Sequence, residues 1–218
     1  MDELYRKLII YDDSWCDLMG FFNPYTDPFK KSFTKKLPMF DKRAFNLYPK
    51  YNFVYDKLWI AESQELSCGK IENITESSNI TYPIFIKPRW GHKSASSKNC
   101  FKITSYSHLQ KYKHIPDMMW SEYIDGVENM TDYVLLNGHI VYQITYLYSE
   151  EQNGYTESYK HISPDNQPPQ NITDWVNTYL IGYSGVVNVQ YRDNKIIEAG
   201  LRLARGGAYI QSTNNIEL

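Results

Sequence analysis

Hydrophobic and polar positions form their clearest pattern in the second half of the chain. Residues 127–136 and 139–148 are β-branched and aromatic runs separated by Asn137-Gly138. Asn-Gly accepts the positive φ angles of a two-residue type I′ turn, so this stretch predicts a β-hairpin. Residues 186–191 and 195–203 predict a second strand pair around Asp193-Asn194. Upstream, 82–86 and 100–104 read as strands on either side of a polar loop, 91–99. Further strands are predicted at 118–124, 154–162 and 7–11. Helical character falls at 56–65, at 168–181, and at 105–113, where Ser105 or Ser107 is a suitable N-cap. Prolines at 24, 28, 38 and 49, among scattered aromatics, predict loops and short elements up to Tyr55. There is no internal repeat. The order is α+β, with antiparallel strand pairs and few helices.

Composition narrows the setting. At 218 residues the chain can bury a core as one large domain or two small ones. A net charge of −2 gives no bulk footprint for nucleic acid or membrane. No apolar run approaches the roughly 18 residues of a membrane span. Met1-Asp2-Glu3 lacks the basic start of a signal peptide. Cys16, Cys68 and Cys100 are odd in number and unclustered, which predicts reduced thiols in a cytoplasmic setting. The N-x-T sequons at Asn73, Asn79, Asn129 and Asn171 then follow from an Asn-rich composition. Lys30, Lys31, Lys35, Lys36, Lys42 and Arg43, interleaved with Phe29, Phe33 and Phe40, suit either a solvated loop or an anion contact.

Candidate chemistry centres on 82–102, YPIFIKPRWGHKSASSKNCFK. An apolar strand ends at Lys87, and a loop of small polar residues leads into a second strand. A nucleoside triphosphate needs such a device: a point cation for the phosphates, and mobile donors that fold over them. Ser94, Ser96 and Ser97 add hydroxyl donors, and Asn99 is a residue type that tolerates positive φ.

Four motifs, in order, make the chain resemble the ATP-grasp superfamily of carboxylate–amine ligases, in the branch of carbamoyl phosphate synthetase and biotin carboxylase. They are Asp56-Lys57, Lys87-Pro88-Arg89, the run from Ser121 to Glu128, and Glu198-Ala199-Gly200-Leu201-Arg202. The resemblance implies two α+β subdomains whose antiparallel sheets clamp ATP. It assigns 1–55 to a shortened N-terminal substrate segment, 56–125 to the smaller lid subdomain, and 126–218 to the larger subdomain with a metal-binding hairpin.

By the same resemblance, Lys57 and Lys87 meet the α- and β-phosphates. The backbone of Glu122, Tyr123 and Ile124 meets adenine, and Glu128 meets the ribose hydroxyls. Gln190 and Glu198 hold Mg²⁺. The family's next ligand, an asparagine, is Gly200 here, so either Asn188 replaces it from the neighbouring strand or a second metal is weak or absent. Arg202 faces the transferring phosphoryl, Arg205 the substrate carboxylate, and Lys160 the γ-phosphate. Asp132 is structural. His92, His139 and His161 need no role.

Strand pairing constrains the metal pair. A two-residue turn at Asp193-Asn194 pairs Gln190 with Ile197 and places Glu198 on the opposite face. A three-residue loop places Asn188, Gln190, Glu198 and Arg202 on one face, and Val187, Val189, Ile197, Ala199 and Leu201 on the other. That segregation favours the odd loop, with Asn194 at the left-handed position.

The implied reaction joins a carboxylate to an amine through an acyl phosphate, using ATP and Mg²⁺. Few residues precede Asp56 compared with the family, so a second copy or another protein is one way to complete the substrate pocket. Three alternatives stay open: a nucleotide-binding protein without turnover, a non-enzymatic interaction module, and a phosphotransferase on the same fold.

Overall fold

The computed structural model describes residues 38, 41–93, 98–148 and 159–204, with the backbone alone at 159 and 160. The strand expected at 7–11 and Lys30, Lys31, Lys35 and Lys36 lie outside them.

Two antiparallel sheets carry the described chain. The smaller contains β1 (Cys68–Lys70), β2 (Ile84–Pro88), β3 (Phe101–Ile103) and β4 (Met118–Glu122), in the order β1-β4-β2-β3. The larger contains β5 (Glu128–Leu136), β6 (His139–Tyr148), β7 (Tyr159–Ser163), β8 (Gly185–Arg192) and β9 (Lys195–Gly200), in the order β7-β6-β5-β8-β9. The α+β class with antiparallel sheets is therefore the observed one.

Period-two alternation divides the work of the small sheet. Ile84 and Ile86 are fully buried with Ile103, Leu109 and Met118, under the short helix α3 (Tyr106–Gln110). Ser105 caps that helix, its hydroxyl accepting from the His108 N–H at 3.2 Å. Phe85 and Lys87, the intervening residues, point the other way and line a cavity.

The large sheet divides likewise. Val187, Val189, Tyr191, Ala199 and Tyr133 pack into an apolar core with Ile172, Trp175 and Val176 of helix α4 (Gln170–Tyr179). Asn188, Gln190 and Glu198 face away from it. The β5–β6 turn is as expected: Asn137 and Gly138 have φ of 51° and 82°.

Residues 41–55 form short elements. Asp41–Leu47 is helix α1, and Pro49–Tyr55 forms 3₁₀ turns. Distant groups hold them in place. Ala44, Val54 and Tyr55 are buried in the large-sheet core, and the Tyr55 hydroxyl accepts from Leu201 N–H at 2.9 Å. Helix α2 (Lys57–Glu62) follows, capped by Asp56.

Struts join the sheets beside the cavity. Lys195 of β9 pairs with Glu122 of β4 at 2.7 Å. The Gln64 carboxamide accepts from Ile196 N–H and donates to Ile196 C=O, at 2.7 and 3.0 Å, covering the free edge of β9 as a further strand would. No helix among the described residues is long and apolar enough to cross a membrane.

A candidate nucleotide and metal site

The cavity between the sheets has a volume of about 260 Å³, just below the roughly 300–1,000 Å³ of ligand pockets. Its wall from the small sheet brings Phe85, Lys87, Ser121, Glu122, Tyr123 and Ile124; its wall from the large sheet brings Glu128, Gln190, Arg192, Ile197 and Glu198. Pro88, Lys57, Lys98 and Cys100 complete the lining.

Lys57 and Lys87 arrive from different elements, and the intervening motif residues fix both. Arg89 grips Asp56 with two bonds, Nε to Oδ1 at 2.7 Å and a terminal nitrogen to Oδ2 at 2.5 Å. Lys57 N–H donates to Arg89 C=O at 2.9 Å. The fork geometry makes the start of α2 and the end of β2 one unit.

Lys57 Nζ then lies 3.2 Å from Glu198 Oε2, and Lys87 Nζ donates to Ile197 C=O at 2.6 Å. Both cations are nearly buried. Burial, and next the Lys57 charge, push the Lys87 ammonium down to about 8 from 10.5. Lys87 thus loses its charge as pH rises through about 8, while the unfolded chain keeps it until about 10.5. Any anion held by Lys87 should bind more weakly over that window, by up to about tenfold per pH unit. Fold stability should rise over it, because a costly buried charge is removed. Calorimetry with a triphosphate in two buffers at pH 8.5 should show proton uptake on binding; no uptake would count against the Lys87 contact.

Gln190 and Glu198 meet, by a route that differs from the expected one. Arg192 pairs with Lys195, so the turn has two residues, and Asp193 rather than Asn194 takes the positive φ, 53°. The extra residue is Ile197, bulged between the Tyr191–Ile196 and Gln190–Glu198 pairs. Gln190 sits directly opposite Glu198, on the same face. Ile196 rather than Ile197 enters the core, and the bulge turns the Ile197 carbonyl to Lys87. Gly91 packs against the carboxylate: a Cβ there would lie 3.3 Å from Glu198 Oε1.

Among the described residues, no three His, Cys, Asp or Glu side chains form a metal cluster. Gln190 and Glu198 are instead an oxygen pair beside two cations, which suits Mg²⁺ shared with phosphates, since that ion takes one or two carboxylates plus phosphate oxygens. Asn188 does not line the cavity. It is buried, and its Nδ2 donates to Asp132 Oδ1 at 2.8 Å.

At the other end of the cavity, Glu122 N–H donates to Ser67 C=O at 2.7 Å, and Tyr123 N–H donates to Pro83 C=O at 3.3 Å; Ile124, next along, lines the cavity. Lys195 holds the Glu122 side chain below the usual carboxylate range. Glu128 meets Arg192 at 3.5 Å, and Arg192 also donates to Gly126 C=O at 3.2 Å. Sequence reasoning had no role for Arg192; its signal is its place two residues beyond Gln190, on the same face.

Arg202 is largely buried, its side chain 12% exposed, and lies outside the cavity lining. Its Nε is 2.7 Å from Asp41 Oδ1, a close ion pair not aligned as a hydrogen bond. Asp41 is the other residue that the sequence did not single out. His92, on the loop after β2, stacks on Phe45 of α1 at 3.7 Å; burial, then Lys93, push its pKa down to about 4, so the ring is neutral near pH 7. Ser94, Ser96, Ser97, Arg205 and the side chain of Lys160 lie outside the described residues.

No family model and no curated protein matches the sequence. The fold matches solved structures. L-amino acid ligase from Bacillus licheniformis gives a TM-score of 0.52 at 16% identity, over 80% of this chain and 48% of that one. N5-carboxyaminoimidazole synthetase from Staphylococcus aureus, complexed with ADP, gives 0.53 at 16%, over 78% and 52%. Biotin carboxylase from Campylobacter jejuni, in a β,γ-ATP complex, gives 0.51 at 12%, over 79% and 49%. The chain spans about half the length of these structures.

Proposed function

The chain has the ATP-grasp fold, and from that premise we propose that it binds Mg²⁺–ATP in the inter-sheet cavity and joins a carboxylate to an amine. The observation that carries this reading is the convergence of Lys57, Lys87, Gln190, Glu198 and the Glu122–Ile124 edge on one cavity. The similar structures are a ligase, a synthetase and a carboxylase, two of them holding adenine nucleotides.

In this reading the Ile124 N–H donates to adenine N1 and the Glu122 C=O accepts from N6. Glu128 accepts the ribose hydroxyls, turning from Arg192. Lys87 and Lys57 take phosphate oxygens, with Ser94, Ser96 and Ser97 closing over them. As Lys57 turns to phosphate it releases Glu198, which with Gln190 holds Mg²⁺. When bound, that ion neutralises phosphate charge and orients the β- and γ-groups.

A carboxylate oxygen attacks the γ-phosphorus, the bond to the β-phosphate oxygen breaks, and ADP leaves. Lys160 disperses the charge of the moving phosphoryl, joined by Arg202 once it turns from Asp41 into the cavity, and Arg205 holds the acid. An amine nitrogen then attacks the acyl carbon, phosphate departs, and the amine loses a proton. Catalysis is positioning and electrostatics, without a covalent intermediate on the protein.

Hydroxylamine offers a direct test, because it converts an acyl phosphate to a hydroxamate. With Mg²⁺–ATP and a panel of amino acids and peptides, hydroxamate and ADP should appear together for the accepted acid. A chain that binds ATP and yields neither with any acid is a nucleotide-binding protein without turnover. Gly200 and the Asp41–Arg202 pair are the observations that favour this second reading.

A further inference from the structure

An ion pair stands in the cavity wall where a phosphate would have to be met. Lys57 Nζ lies 3.2 Å from Glu198 Oε2, and both residues line the cavity. The lysine side chain is 5% exposed and the glutamate 34%, so the amine is nearly sealed while the carboxylate opens to the cavity. The main chain of Lys57 is fixed to Arg89 C=O, which leaves only the stem and amine to turn. Glu198 is bounded on its other side, where a Cβ at Gly91 would lie 3.3 Å from Oε1. Around the cavity, lysine and arginine side chains barely outnumber carboxylates. A metal-free triphosphate therefore meets cations that are largely matched already. If it draws Lys57 to itself, it strands the Glu198 carboxylate beside its own negative charge. A divalent cation that takes Glu198 strands the nearly buried Lys57 amine instead. Separating a partly buried pair in either way leaves an uncompensated charge. When both ligands enter together, phosphate takes the amine and the cation takes the carboxylate, and neither charge is stranded.

We infer that the Lys57–Glu198 pair is a selector: it admits a triphosphate together with a divalent cation and disfavours either one alone. Lys57 is the amine exchanged between carboxylate and phosphate. Glu198 sets the preference for the metal complex over the bare nucleotide, because its carboxylate competes with phosphate for that amine. The inference rests on the nucleotide-site reading above and adds an effect of opposite sign to simple ligand loss: removing the Glu198 charge should improve binding of the nucleotide without metal.

Titration calorimetry with a non-hydrolysable ATP analogue, in EDTA and in Mg²⁺, tests this. In the unmodified chain Mg²⁺ should tighten binding by roughly 100-fold, within the usual range for linked sites. Glu198→Gln keeps the shape and removes the charge. It should tighten binding in EDTA by roughly tenfold, between the effects of exposed and buried pairs, and cut the Mg²⁺ effect by at least as much. Lys57→Met should bind Mn²⁺ without nucleotide roughly tenfold more tightly than the unmodified chain, read by electron paramagnetic resonance. In the Lys57→Met background, Glu198→Gln should no longer tighten binding in EDTA, because the exchanged amine is gone. If Lys57→Met does not fold, Lys57→Gln takes its place. Glu198→Gln binding in EDTA no better than the unmodified chain overturns the inference and leaves the nucleotide site standing. So does tightening that persists without Lys57, or Mn²⁺ binding that the Lys57 variant leaves unchanged. Failure of the unmodified chain to bind the analogue with Mg²⁺ overturns both readings.

Discussion

Replacing Lys87 with methionine should remove nearly all triphosphate binding while leaving the fold as stable as before, or more so. The two effects have one cause. A lysine held at about 8 instead of 10.5 carries its charge at a cost on the order of 3 kcal/mol. Methionine fills a similar volume without that cost. It leaves the Ile197 carbonyl short of a donor, which returns about 1 kcal/mol. The net change in stability is therefore neutral to favourable by roughly 2 kcal/mol, or several degrees in melting temperature. A charged contact to phosphate is worth up to about 3 kcal/mol, so affinity for an ATP analogue should fall by roughly 100-fold. Thermal unfolding and titration calorimetry on the same two proteins check both halves. A variant that melts lower and binds equally well would mean that Lys87 is a structural strut.

The second large effect is on stability. Asp132 is fully buried and accepts from Tyr146 Oη at 3.0 Å, Asn188 Nδ2 at 2.8 Å and Ala204 N–H at 3.0 Å. Asp132→Ala leaves all three donors unsatisfied in a closed space, and each costs about 1–3 kcal/mol unless it finds another acceptor. A net loss of roughly 4 kcal/mol, lowering the melting temperature by about 10 °C, is the expected result. Because Ala204 follows the segment that carries Arg202, the substitution also loosens the end of the site. Burial raises the Asp132 carboxyl to about 6 from 3.8. The stability it contributes is therefore complete below about pH 4 and declines as pH rises through 6. A variant that melts within a degree or two of the original would contradict the buried-acceptor role.

What could be read in advance follows from how local its cause is. The 137–138 turn needed only two residues with the right φ preference, and β2 needed only its alternation, which also aimed Lys87 at the cavity. Gln190 and Glu198 were placed on one face by the segregation of polar from apolar side chains. The loop and the bulge satisfy that parity equally, so only the coordinates distinguish them. In residues 41–55 short elements were expected, but not which ones, because their supports are remote. Tyr55 is held by Leu201, and Tyr51 by Ile181, across 146 and 130 residues. Strand β1 is three residues long with Gly69 at its centre, against Trp120, and exists through pairing with β4. Asp41 belongs to the same class: its partner, Arg202, lies near the far end of the described chain. The Asp56–Arg89 grip was half visible, since both residues sit in recognised motifs, but nothing in the spacing said that they touch.

Crystals soaked with a non-hydrolysable ATP analogue and Mg²⁺ examine the central claim most directly. The account places the phosphates between the amines of Lys57 and Lys87, the metal against Gln190 and Glu198, and the base at the main chain of Glu122 and Ile124. Density for the analogue elsewhere on the molecule, or an inter-sheet cavity still empty at millimolar analogue, would contradict it.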